Sequence, residues 1–259
     1  MSKRRAAIRG AGALLLVGVV TAAALFGYGL GRQMLRNEQC CAIPWSRNLI
    51  VSAREMFRLV RYPSQIGQDK WVTQSVFPGV TDGFFVDVGS GDGTLLSNTK
   101  ALEQLGWRGV CIDPFPTNME DRRCQIFKEV VSSEAGKRVT FRVAGDLGGI
   151  VDTLGRWKDD ASGSRVVEFS TVALGDILAR AHAPRFIHFV SLDIEGAELD
   201  ALRGFPFAEY SFGALAVEHN FEEPKRSQIR ALLESHGYAR VHEWQQDDFY
   251  VPAATAPRR

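Results

Sequence analysis

The sequence predicts an α/β domain built on a mostly parallel, doubly wound sheet, preceded by one N-terminal transmembrane helix. Three observations carry this expectation. Short β-branched and aromatic runs alternate with helical patterns from Gly83 onward, and strands separated by helices make a parallel sheet with helices on both faces. The first of these runs, "FFVDV", breaks into three glycines at alternate positions, Gly89, Gly91 and Gly93. Finally, Ala11 to Gly31 contain no charged residue, and a helix of that length spans about 30 Å, the thickness of a bilayer core.

The N-terminal elements follow in order. Residues 1–10 form a basic segment with Lys3, Arg4, Arg5 and Arg9, and 11–31 is the expected anchor. The rival reading is a cleaved signal peptide with Ala22-Ala23-Ala24 as its small-residue site. Arg32, Arg36 and Arg47 follow the span closely, so the flanking charges set orientation poorly. The catalytic part is expected on the cytosolic face, where Cys40 and Cys41 would be placed for thioesters. The opposing reading holds the basic N-terminus inside and exports the domain. Residues 32–62 read as a juxtamembrane connector and an amphipathic helix. Its apolar positions Leu49, Ile50, Ala53, Met56, Phe57 and Val60 recur at helical spacing, and Pro63 stops it.

The domain itself is expected over 63–252, with 253–259 as a flexible tail. "FFVDV" reads as a buried strand, Thr94 to Leu105 as a helix with Leu95, Leu96, Leu102 and Leu105 facing inward, and "GVCID" as the next strand. "QIFKEVVS" and "VTFRV" suggest strands around a turn at Gly136, and 147–164 reads as an irregular insertion. Val172 to His182 is helical, Phe186–Ile194 a strand and Ala197 to Arg203 a helix. Gly213–His219 is a further strand, Lys225 to His236 a helix ended by Gly237, and "DDFYV" the closing strand.

Composition narrows the function. Thirty-one basic and thirty acidic residues leave a net charge of +1, without the basic excess of a nucleic-acid binder. Four cysteines are too few for a disulfide scaffold, and Cys111, in an apolar run, reads as a buried thiol. No C-x-x-C pair suggests a metal.

The glycine spacing is G-x-G-x-G, unlike the G-x-G-x-x-G that lays a pyrophosphate on a helix N-terminus. A bare backbone with carboxylates nearby suits a ligand bearing a ribose and a cationic sulfonium. Asp87 precedes the glycines, Asp92 lies among them, and Asp113 closes the next strand, where a carboxylate can accept both ribose hydroxyls. Together Asp87, Gly89, Gly91, Asp92, Gly93 and Asp113 point to S-adenosylmethionine.

A second acidic motif, "SLDIEGAE", places Asp193 and Glu195 at the end of the strand expected beside the first, across the switch point where ligands bind. Glu198, a helical turn on, is either a capping or a functional carboxylate. "VEHN" supplies Glu218, His219 and Asn220. Methyl transfer to a hydroxyl wants a positioned acceptor and a base. His219 is the first candidate base on its pKa, Glu195 the second, with Asp193 beside them. These acids could hold Mg²⁺, but no compact motif forces it, and no metal is expected.

The stretches "SQIGQDKWV" (Ser64–Val72), "GFFVDVGSGDGTLLSNTKALEQLGWRGVCIDPFP" (Gly83–Pro116), "SLDIEGAELDALRGF" (Ser191–Phe205), "VEHN" and "GYARVHEWQQDDFYV" (Gly237–Val251) resemble the FkbM-type S-adenosylmethionine-dependent methyltransferases. Two positions depart from the family's pattern: Ser191 stands where many members have lysine, and Asp113 where many have glutamate. The resemblance implies a Rossmann-like sheet with a terminal antiparallel strand, and methyl transfer to an oxygen of a small molecule, sugar or glycan. Membrane-anchored proteins of the Star type resemble the same family, so the alternative is a non-catalytic binding or trafficking protein. The intact glycine loop and both acids favour the enzyme. A nicotinamide-dependent oxidoreductase is argued against by the glycine spacing.

Overall fold

A computed structural model describes residues 61–145, 147–155 and 163–257. The expected basic segment, the 11–31 span, and the connector and amphipathic helix up to residue 60 lie outside the described residues. Among those described, no helix is long and apolar enough to cross a membrane.

The centre is a seven-stranded sheet. Its parallel strands are β1 (Phe84–Val88), β2 (Arg108–Ile112), β3 (Gln125–Phe127), β9 (Phe186–Leu192) and β10 (Ser211–Glu218). A terminal hairpin, β11 (Tyr238–Trp244) and β12 (Asp247–Pro252), completes it in the order β11-β12-β10-β9-β1-β2-β3. β12 runs antiparallel to both of its neighbours, so the expected terminal antiparallel strand is present, inserted between β10 and β11.

Alternation along the strands builds two apolar layers, because successive side chains point to opposite faces. Phe84, Val86 and Val88 join one buried cluster with Ile112, Val190, Leu192 and Leu215, while Phe85 joins Cys111, Phe189, Ala214, Ala216 and Phe249 in the other. The first layer is covered by α3 (Leu174–Arg180), α4 (Glu198–Arg203) and α5 (Lys225–Ser235). The second is covered by α1 (Gln68–Lys70), its π-helical continuation Trp71–Val76, and α2 (Lys100–Gln104). α5 ends where Gly237 takes φ +82°, a conformation open to glycine at no steric cost.

Between β3 and β9 the chain leaves the main sheet. β4 (Val131–Ser132) pairs with β8 (Val172–Ala173), while β5 (Arg138–Arg142) sits between β6 (Gly149–Ile150) and β7 (Val166–Ser170). β7 and β11 had no sequence expectation. Both carry polar residues on exposed or half-buried faces, which weakens the apolar alternation that marks a strand.

Two expectations are corrected. The helix expected over Thr94–Leu105 is confined to Lys100–Gln104. The Asp92 carboxylate accepts hydrogen bonds from the amides of Thr94 and Leu95, and Leu96 takes φ +57°, so the backbone there turns instead of coiling. Leu102 and Leu105 face inward as expected, but Leu95 is 66% and Leu96 44% exposed. Cys111 is not a free thiol: it is bonded to Cys124, with 5.8 Å between the two Cα atoms. β2 and β3 are parallel neighbours in register Cys111↔Ile126, which brings the residue two before Ile126 beside Cys111. The short loop this bond closes predicts a loss of about 3 kcal/mol on removing it. We expect urea unfolding of a Cys111→Ala/Cys124→Ala double variant to show a loss of about 2–4 kcal/mol, against no change if the bond is dispensable.

Candidate active site

The carboxyl ends of β1, β2, β9 and β10 open onto one cavity of about 660 Å³, at the switch point where β1 stands between β2 and β9. Open α/β sheets bind ligands at this place. Its lining includes every cofactor residue expected from sequence except Gly93, and Asp193, Glu195, Glu218 and Asn220 of the acidic motifs.

The glycine loop is held by the segment after β2. Gly91 N–H donates to Asp113 Oδ2 at 3.0 Å, Thr117 N–H to Gly91 O at 3.0 Å and Gly93 N–H to Thr117 O at 2.8 Å. Asp113 Oδ1 accepts from Phe115 N–H at 2.7 Å. Asp92 is saturated locally. Besides the amides of Thr94 and Leu95 it accepts from Thr94 Oγ1, Thr117 Oγ1 and Asn118 Nδ2. Slight burial opposes ionisation there, but these hydrogen bonds hold its carboxyl well below the usual range. Its place is that of a loop brace.

Asp87 is 3% exposed and accepts from Thr99 Oγ1 at 2.5 Å; burial raises its pKa, against the nearby charge of Arg122. Arg122 is the residue that sequence reading missed. Its guanidinium donates to Glu103 Oε2, Gly93 O, Ser97 Oγ, Thr99 Oγ1 and Cys111 Sγ. One buried cation thus ties the glycine loop, the start of α2 and the partner of Asp87 together. Only its place beside Cys124 in the sequence hinted at burial.

Across the cavity, Asp193, Glu195 and Glu218 each bring a carboxylate oxygen within 4.8 Å of the others. Asn220 Nδ2 bridges Glu218 at 2.7 Å and Glu195 at 3.3 Å. Such a group offers oxygen ligands of the kind Mg²⁺ takes, so the geometry leaves room for the metal the sequence reading set aside. Asp193 and Glu218 are close enough for their charges to repel. Burial, then neighbouring carboxylates, raise both: Asp193 to about 7 and Glu218 further. Glu198 is buried behind them and accepts from the amides of Ile194 and Gly196, so of its two readings the local brace is the one realised.

His219 does not reach the cavity. It alternates with Glu218 and Asn220 and so points to the other side of the strand. There Nδ1 accepts from Phe221 N–H at 3.0 Å, and Nε2 lies 3.8 Å from Asp248. Burial lowers its pKa against the pull of Asp248. The expectation that it faces the acceptor is corrected by this alternation.

The rim is conformationally costly. Leu96, Glu195, Asn220, Phe221 and Gln245 all line the cavity with positive φ, at a cost of about 1–2 kcal/mol for each except Asn220, since asparagine tolerates this region.

Residues 87–239 match the family described as Methyltransferase FkbM domain. That is more than half of the chain, and the chain belongs to this methyltransferase family. No curated protein matches it.

The raised pKa of Asp193 fixes a pH dependence. A carboxyl raised in the folded state contributes stability that is present at low pH and lost as pH rises from about 4 through about 7. We expect Asp193→Asn to flatten that decline and to be the more stable form near neutral pH. Urea midpoints across this range check it, and parallel curves for the two proteins would contradict it.

Proposed function

We propose that the protein is an S-adenosylmethionine-dependent O-methyltransferase acting on a hydroxyl of a small molecule or glycan. The observation that carries this is the pairing, in one cavity, of the glycine loop braced by Asp113 with a cluster of buried carboxylates. The residues fit the cofactor. Asp113 lines the cavity at the end of β2, where a carboxylate can accept ribose hydroxyls, and Asp87 lines it at the far end of the loop. Ser90 Oγ and Asn98 Oδ1, on the cavity lining, are buried with no hydrogen-bond partner among the described residues. When bound, S-adenosylmethionine supplies an electrophilic methyl whose sulfur keeps the bonding electron pair on transfer. The chain's own work is to hold the acceptor in line and remove its proton. Asp193 is the base this geometry favours, because it lines the cavity and burial raises its carboxyl to about 7, against the lowering pull of Glu218. Glu195 stands second, and His219 is withdrawn from the role.

Calorimetry with S-adenosylhomocysteine should show Asp113→Ala weakening binding by about 1.5–3 kcal/mol. Unchanged affinity would remove the cofactor assignment, and competition by NAD would favour an oxidoreductase. With labelled cofactor and a cell extract as acceptor source, Asp193→Asn should lose about 10²–10⁴-fold in turnover, while His219→Ala stays within a few-fold. Loss of activity on EDTA, restored by Mg²⁺, would add a metal to the three carboxylates.

We also propose a single-pass membrane protein anchored through residues 11–31. The cytosolic expectation for the domain is weighed against the Cys111–Cys124 bond. Such bonds persist in oxidising compartments and are rare in the cytosol. With Lys3, Arg4, Arg5 and Arg9 ahead of the span, this supports an exported domain and an N-terminus left inside. Sealed vesicles should protect the C-terminal domain from added protease until they are opened. Digestion of the domain in intact, cytosol-side-out vesicles would restore the cytosolic placement.

A further inference from the structure

The mouth of the cavity has a polarity that the floor does not share. Three large apolar side chains stand on it in solvent: Leu95 at 66%, Leu96 at 44% and Phe221 at 59% exposure. Leu95 and Leu96 follow β1 and Phe221 follows β10, yet they belong to one rim. Ser64 forms a parallel bridge with Leu96. The next residue, Gln65, lines the cavity and accepts from Gln246 Nε2 at 2.6 Å. Gln246 in turn accepts from His219 N–H at 2.8 Å, two residues before Phe221. The "SQIGQD" stretch is locked in place as this crossing. Ser64 donates through N–H and Oγ to the Asp69 carboxylate, and Ile66 N–H donates to Gln68 Oε1.

Two further facts bear on what covers this rim. The floor is acidic, with carboxylate oxygens of Asp193, Glu195 and Glu218 within 4.8 Å of one another. The rim is also where the N-terminal chain joins the domain. Residues 32–63, thirty-two in number, separate it from the uncharged run 11–31, a span of about 110 Å at full extension. Exposed apolar patches edged by polar groups mark ligand or membrane contacts. A water-soluble glycan would leave Leu95, Leu96 and Phe221 uncovered, whereas an amphiphile has an apolar part to cover them and a polar head for the floor.

We propose that the methyl acceptor is a hydroxylated amphiphile of the membrane. Its polar head enters the carboxylate floor and its apolar portion lies on Leu95, Leu96 and Phe221. This rests on the methyltransferase reading of the cavity and narrows its acceptor class. Leu95 and Phe221 are then specificity-determining residues.

The test uses the full chain in detergent, S-adenosylmethionine carrying a tritiated methyl, and total membranes of the host cell as acceptor source. Label is expected in the chloroform–methanol-soluble lipid. Leu95→Asn and Phe221→Asn should each lower it about tenfold or more while S-adenosylhomocysteine affinity stays unchanged. Asparagine tolerates the left-handed backbone at Phe221, so the fold is kept. Label confined to water-soluble glycan or to protein overturns the proposal, as does undiminished lipid labelling in both variants. Failure of the unaltered chain to bind S-adenosylhomocysteine overturns the cofactor reading as well, and that result is read separately from the distribution of label.

Discussion

The site exists because two loops touch backbone to backbone. A Cβ on Gly89 would lie 1.6 Å from the carbonyl oxygen of Asp193, and Gly89 takes φ +87°. No side chain can stand there without moving the end of β1 off the end of β9. This contact sets the width of the cavity: on one side the loop that Asp113 braces, on the other the carboxylates that begin with Asp193. The parallel pairing of β1 with β9 brings the strands to this point in register, with Asp87 opposite Ser191. The glycine lets them finish closer than any other residue would allow.

What keeps the two sides in place is unlike on each. The glycine-loop side is held by one buried cation. Arg122 and Glu103 are 0% and 2% exposed at their side chains and 3.1 Å apart, and the guanidinium spends its other donors on Gly93, Ser97 and Thr99. Removing one member of such a pair leaves a buried charge unpaired, which costs more than the pair itself contributes. The acidic side has no buried cation of that kind among the described residues. Lys225 donates to Gly196 O at 3.0 Å and pairs with Glu222, but it stands 4.0 Å from Glu198. Burial and mutual repulsion there raise the carboxyl of Asp193 to about 7.

The sequence carried the sheet well and the site in part. Strands buried on both faces, such as "FFVDV" and Phe186–Leu192, announce themselves as apolar runs, and the order of glycine loop, first acid and second acid located the cavity. Leu95 and Leu96 misled because an apolar pair before a helix looks like its first inward turn; the Asp92 turn that overrides it is a side-chain effect that periodicity does not register. His219 misled because its chemistry is suggestive, while its position one residue from Glu218 already placed it on the other face of the strand. Arg122 and the Cys111–Cys124 bond were out of reach, since both depend on β2 and β3 lying side by side. The Ser64–Val72 stretch was noticed only as part of a family resemblance, and its role as a crossing at the cavity mouth is a matter of tertiary contact.

The positive-φ residues around the cavity have a consequence for how this protein can change. Leu96, Glu195, Asn220, Phe221 and Gln245 sit in a backbone region that glycine occupies freely. Mutational drift judged by folding alone would therefore exchange Leu96 and Phe221 for glycine and gain robustness by doing so. Leucine and phenylalanine there carry a backbone cost that glycine would not. A thermostability screen run without an activity readout would favour glycine at both positions, and the better-behaved protein it delivered would have lost two apolar side chains from the cavity mouth.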